Sequence, residues 1–230
     1  MSPRYALYLA PPEHSDLWRL GCAWLGRDPT TGRAVSQPAV DAFSAERIRG
    51  LTASPRLYGL HATLKPPFRL RSGCGRDDLV AAAQALAARH AAFALPTLEV
   101  GTLAGFLALR TALQSDRLQL LADACAVELD HFRAHPQEEE LARRRQAGLT
   151  PRQEELLLRL GYPYLLDQWR FHITLTESVA GAEADQLVAW LASYFRAATQ
   201  PVRCEDICLF VQPAPRAEFQ ILRRFPLRKT

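Results

Sequence analysis

Two heptapeptides lying 111 residues apart repeat one arrangement of reactive side chains: Gly59-Leu60-His61-Ala62-Thr63-Leu64-Lys65 and Arg170-Phe171-His172-Ile173-Thr174-Leu175-Thr176. Read as β-strands, each projects its histidine and threonine from one face and its apolar residues from the other. An imidazole takes or gives a proton near neutral pH, and a hydroxyl donates to an anion. The same parity adds Lys65 to the first polar face and Arg170 and Thr176 to the second. If the two faces meet, they offer two imidazoles, three hydroxyls, an ammonium and a guanidinium to one centre. That inventory suits a phosphate ester, whose non-bridging oxygens want cations and hydroxyls. His61, His172, Thr63 and Thr174 are therefore the candidate catalytic residues, with Lys65, Arg170 and Thr176 as candidate substrate contacts.

Other chemistries find less support. His131 and His135 have the i,i+4 spacing of a helical metal pair, but Pro136 follows directly and no H-E-x-x-H motif accompanies them. The five cysteines are scattered without C-x-x-C spacing, so neither a zinc site nor a disulfide framework is expected. P-loop and G-x-S-x-G signatures are absent, and no cofactor is expected. The net charge of +4 is compatible with an anionic ligand and far from a nucleic-acid-coating surface. No apolar run reaches the length of a membrane span, and the chain start lacks a basic region followed by an apolar stretch. A cytoplasmic protein with no membrane partner is the expectation.

The elements that must position the two motifs follow from caps and breakers. Arg4 to Ala10 reads as a strand stopped by Pro11-Pro12, and Ser15 caps a helix to about Leu25. Gly26 to Pro38 reads as a loop, and Ser44 caps a short helix to about Leu51. The first His/Thr strand is expected over Tyr58 to Lys65. A helix from about Asp77 to Phe93 and strands at Leu98 to Leu103 and Phe106 to Arg110 follow. Ser115 caps a helix to about Phe132, and Glu138 to Arg145 reads as a solvated helix face with i,i+4 ion pairs. Thr150-Pro151-Arg152-Gln153 is a capping box opening a helix that stops at Gly161. The second His/Thr strand spans Trp169 to Thr176, followed by a helix over about Ala182 to Ala197 and strands at Cys204 to Val211 and Glu218 to Phe225. His/Thr strand, helix, strand, strand thus occurs twice, over about 58–110 and 169–225. The expectation is one α+β domain over 1–230: two pseudo-symmetric lobes of antiparallel sheet, helices outside and the active-site cleft between the lobes.

At these motifs the chain resembles the two-histidine (2H) phosphoesterase superfamily, whose members carry two H-x-[ST]-x motifs on pseudo-symmetric lobes. Tyr58 to Phe68, Phe171 to Thr176 and the opening Arg4-Tyr5-Ala6-Leu7-Tyr8 are similar to the bacterial branch associated with phosphonate-metabolism operons. The resemblance implies metal-independent hydrolysis or transfer at a small phosphodiester, frequently a cyclic phosphate. It implies that His61 and His172 exchange acid and base duties while Thr63 and Thr174 bind phosphate oxygens. It does not say which histidine does which. The substrate read from it is a cyclic phosphodiester or phosphorylated sugar or nucleotide. An RNA end with a 2′,3′-cyclic phosphate and non-enzymatic binding of a phosphorylated metabolite remain alternatives.

Overall fold

The sheet decides the layout, because it brings the two His/Thr segments side by side from distant parts of the chain. A computed structural model describes residues 2–146, 148–199 and 202–229. In chain order the elements are β1 (Arg4–Leu9), α1 (Asp16–Leu25), α2 (Ala45–Leu51), α3 (Ala53–Tyr58), β2 (Ala62–Arg69), α4 (Arg76–Arg89), β3 (Phe93–Ala94), β4 (Leu98–Leu103), β5 (Phe106–Thr111), α5 (Asp116–Glu128), α6 (Glu138–Arg145), α7 (Pro151–Leu160), β6 (His172–Ser178), α8 (Gly181–Phe195), β7 (Arg203–Cys204), β8 (Asp206–Gln212) and β9 (Gln220–Pro226). Seven strands form one antiparallel sheet in the order β4-β5-β6-β2-β1-β8-β9. The caps read from the sequence hold: Ser15 accepts from the Trp18 amide, and Gly161 closes α7 in the left-handed region at φ 75°. Among the described residues no helix is long and apolar enough to cross a membrane.

The two expected lobes are the two halves of this one sheet, related by a pseudo-twofold between β6 and β2. The axis exchanges β2 with β6, β1 with β5 and β8 with β4. Phe93 and Cys204, each 32 residues beyond its histidine (93 − 61 and 204 − 172), pair with one another in the small β3·β7 sheet. The repeat that obeys the axis therefore begins one strand before each His/Thr strand, at β1 and at β5. Its last strand crosses over: β4 pairs with β5 and β8 with β1, so each half carries a strand from the other repeat. That exchange is invisible in element order alone, since only long-range pairing reveals it.

At the axis the His/Thr strands barely touch. Among the described residues β2 and β6 pair only at Ala62↔Ile173, and beyond that point they splay. Two indoles peg the gap: Trp24 Nε1 donates to the Leu175 carbonyl and Trp169 Nε1 to the Thr63 carbonyl, each at 2.8 Å. Behind the junction Ala62, Leu64, Ile173 and Leu175 are buried in the main core, each larger aliphatic contributing about 1.5 to 3 kcal/mol. Helices cover that face, α5 against β2, α8 against β4 and α4 against β8 and β9.

Both strands depart from plain alternation. Thr63 pairs with Tyr8 and Lys65 with Leu7, so Leu64 is an extra residue, a β-bulge. A second irregularity lies at Pro66-Pro67, which cannot donate to a ladder, although the strand runs on to Arg69. The strand also starts later than expected, because Ala53–Tyr58 is helical and Gly59, at φ 80° with its Cα hydrogens against Pro29, turns the chain into Leu60 and His61.

Replacing Trp169 by Phe keeps an aromatic ring, though a smaller one, and strips the Thr63 carbonyl of its donor. Urea denaturation should show a loss of about 1 to 3 kcal/mol, the cost of a buried unpaired carbonyl. An unchanged midpoint would mean that the indole is not holding the junction.

Candidate active site

His61 follows the Gly59 turn, and its Nδ1 lies 2.8 Å from the Gly59 carbonyl. His172 repeats the contact: Nδ1 lies 2.8 Å from the Arg170 carbonyl two residues back. A carbonyl only accepts, so in both rings Nδ1 carries the proton, leaving Nε2 as the site of proton exchange. Both imidazoles, half-buried, line one cavity of about 650 Å³ together with Thr63 and Thr174. The four residues carried by the two motifs are thus brought together across the junction.

Burial shapes their basicity. His61 is lowered to about 4, first by desolvation and then by the charge of His172, against the opposing Gly59 carbonyl. His172 is also lowered by burial, with the Arg170 carbonyl opposing. The Tyr8 ring stacks on His61 at 3.8 Å between centroids and 28° between planes, whereas His172 meets only the tilted ring of Phe106 at 5.8 Å. Tyr8 itself stays a neutral phenol, since burial raises its pKa well above the ordinary value.

Of the three flanking contacts read from parity, Thr176 lines the cavity and the other two fall elsewhere. Lys65 is almost fully buried on the helix side, where Nζ donates to the Ala126 carbonyl at 2.8 Å and to Asp130 Oδ1 at 2.9 Å. The Leu64 bulge causes this, because it puts Lys65 on the face of Leu7 and Thr63 on that of Tyr8. Arg170 precedes β6, outside any ladder, so alternation does not govern it. Its Nη1 donates to the Asp167 and Trp169 carbonyls, and the side chain lines a separate depression of about 740 Å³ beside Arg110. Thr176 does reach the cavity wall, but its Oγ1 accepts from the Leu107 amide at 3.0 Å. It sits where β6 has two more residues than β5 between Ser178 and Thr174, and its hydroxyl stands in for a ladder carbonyl.

The cavity instead acquires Arg144 from α6, the segment read as a solvated face. Its guanidinium lies 4.7 Å from the centroid of the Tyr162 ring, and among the described residues it makes no salt bridge. Buried Arg144 Nε has no hydrogen-bond partner. Tyr8, Tyr58 and Tyr162 complete that side of the cavity. Tyr8 and Tyr58 lie in segments that carry the family resemblance, but neither alternation nor spacing marks any of these four as a cavity residue, and they become neighbours through pairing of β1 with β2 and the return of the chain after α5. The arrangement can accept a proton at one Nε2, donate one at the other, and hold an anion with two hydroxyls and a cation.

A family model described as "Protein of unknown function (DUF1045)" matches residues 63–220. The chain is 38% identical over 228 residues to a protein of Janthinobacterium sp. (strain Marseille) named ribose 1,5-bisphosphate phosphokinase PhnN, covering 97% of this chain and 50% of that protein. It is 39% identical over 222 residues to a protein of the same name from Laribacter hongkongensis, covering 96% of this chain and 51% of that protein. The chain spans about half the length of the curated relatives it matches. Among solved structures, E. coli LigT complexed with 3′-AMP and LigT in apo form each align over 99% of both chains at 14% identity, with TM-scores of 0.43 and 0.45.

Proposed function

The chain belongs to the DUF1045 family, and on that premise we propose that it is a two-histidine phosphoesterase acting on a small cyclic phosphodiester. The observation that carries the reading is the pair of imidazoles from separate strands whose Nδ1 atoms are both tied to carbonyls, leaving both Nε2 atoms for one shared cavity. In the proposed reaction one neutral imidazole takes a proton from water as the water oxygen bonds to phosphorus. The bond from phosphorus to one ring ester oxygen breaks, and that oxygen takes the proton of the second, protonated imidazole. A phosphomonoester and a free hydroxyl result, and the two histidines have exchanged protonation states. Thr63, Thr174 and Arg144 hold the non-bridging oxygens. The chemistry requires no metal, and five free thiols, four of them buried, fit a reducing cytoplasm.

A cavity of about 650 Å³ accommodates a phosphorylated sugar. The names of the half-matching relatives point to ribose phosphates, which agrees with the phosphonate-operon branch that the motifs resemble. The aromatic wall of Tyr58 and Tyr162 favours a second reading, a nucleoside 2′,3′-cyclic phosphate or RNA end whose base stacks there.

With a panel of sugar and nucleoside cyclic phosphates, product followed by phosphorus NMR should appear for at least one substrate and be unaffected by EDTA. His61→Ala and His172→Ala should each lose about 10²- to 10⁴-fold; retained turnover in either variant sinks the mechanism. Tight binding with no product across the panel would favour a metabolite-binding protein instead.

The pH profile carries its own sign. One imidazole must be neutral and the other protonated, and both pKa values are lowered. The profile of kcat/KM should therefore rise through about 4 and fall at a value below the ordinary His range, giving more activity near roughly pH 5 than near roughly pH 8. An optimum on the alkaline side would contradict this.

A further inference from the structure

Resting on that two-imidazole reading, we infer that Tyr8 is a positioning residue that divides the labour between the histidines, keeping His61 as the base and leaving His172 as the acid. The pseudo-twofold makes the comparison internal to the molecule. Tyr8 stands opposite Thr63 in the β1·β2 ladder, and its counterpart opposite Thr174 in the β5·β6 ladder is Ala108. A full aromatic ring on one side is thus replaced by a methyl on the other. The Tyr8 ring lies flat on His61 at 3.8 Å and is backed by Phe210 at 4.9 Å, so one face of this imidazole is closed to water. Among the described residues His172 lacks such a platform and has only Phe106, at 5.8 Å and tilted by 50°.

Two effects of the ring oppose each other. An imidazolium over a phenol gains a cation–π attraction. Covering one face of the ring takes it out of water, which disfavours the charged form, and desolvation is the largest cause acting on His61. The neutral form of His61 is therefore favoured. The titratable groups facing it are Tyr8 from β1, Tyr58 from α3 and His172 from β6, with Tyr162, Arg144 and Glu177 farther round the same cavity. Glu177 accepts from the Ser54 amide, and no carboxylate pairs with His61 to restore its charge. Burial drives His61 down in agreement with this geometry. In the hydrolysis, His61 Nε2 then takes the proton of the attacking water, and the sugar oxygen released from phosphorus takes the proton of His172 Nε2.

NMR titration of the imidazole resonances of the intact chain, assigned with His61→Gln and His172→Gln, tests the inference without any substrate. His61 should titrate well below His172. Tyr8→Phe should preserve both curves, because it keeps the ring. Tyr8→Leu should move His61 upward by about one pH unit or more while leaving His172 in place. Coincident curves, a His172 curve below that of His61, or an unmoved His61 in folded Tyr8→Leu would overturn the inference. Should Tyr8→Leu fail to fold, the wild-type order still decides. Failure of the phosphoesterase reading itself would show separately, as turnover retained in the alanine variants.

Discussion

Among the described residues a single ladder pair joins the two His/Thr strands where the halves of this molecule meet. Ala62 and Ile173 join β2 to β6, and everything beyond them diverges. A fully zipped ladder would put Thr63 and Thr174 into continuous strand pairing and close the space between the motifs. A missing ladder would leave both histidines on unrelated surfaces. The compromise leaves carbonyls unpaired inside the protein, and the indoles of Trp24 and Trp169 supply the donors that the absent ladder would have given. Each indole comes from the repeat opposite to the strand it serves, which locks the halves together much as the exchanged strands β4 and β8 do.

The same irregularities that open the cleft also sort its charges. Bulges in β2 turn Lys65 inward to Asp130, an ion pair shared with Arg133 at 2.8 Å. Breaking a buried pair of this kind costs about 3 to 5 kcal/mol, so that ammonium is committed to the fold and withdrawn from any ligand. Thr176 accepts from the Leu107 amide through Oγ1, which leaves its hydroxyl proton to donate on the cavity wall. The cation that the cavity does present comes from Arg144, on a helix inserted between α5 and β6. The cavity's guanidinium thus comes from an element outside the symmetric frame, while both imidazoles and both threonines sit at the symmetric strands.

The sequence made legible those parts of the site that depend on local pattern. His61, Thr63, His172 and Thr174 announce themselves by repetition, and alternation holds over the three residues that place them. It fails two residues later at Lys65, because a bulge is a property of how β2 meets β1, not of β2 alone. Arg170 escapes the rule for a simpler reason: the strand has not yet begun. Neither alternation nor spacing marks Tyr8 or Arg144 as a cavity residue, since a short alternating strand and a charged helix are common structural material, although Tyr8 closes a segment that shares in the family resemblance. Caps and turn residues located most helices, whereas the frame of the repeat had to wait for strand order.

A splayed junction lined by two imidazoles and two threonine hydroxyls should hold one phosphate between them. A crystal structure with inorganic phosphate or vanadate bound would test it most directly. The account predicts the anion within hydrogen-bond distance of both Nε2 atoms and of the hydroxyls of Thr63 and Thr174. An anion bound instead in the depression beside Arg170, or imidazoles too far apart to share one phosphate, would contradict it.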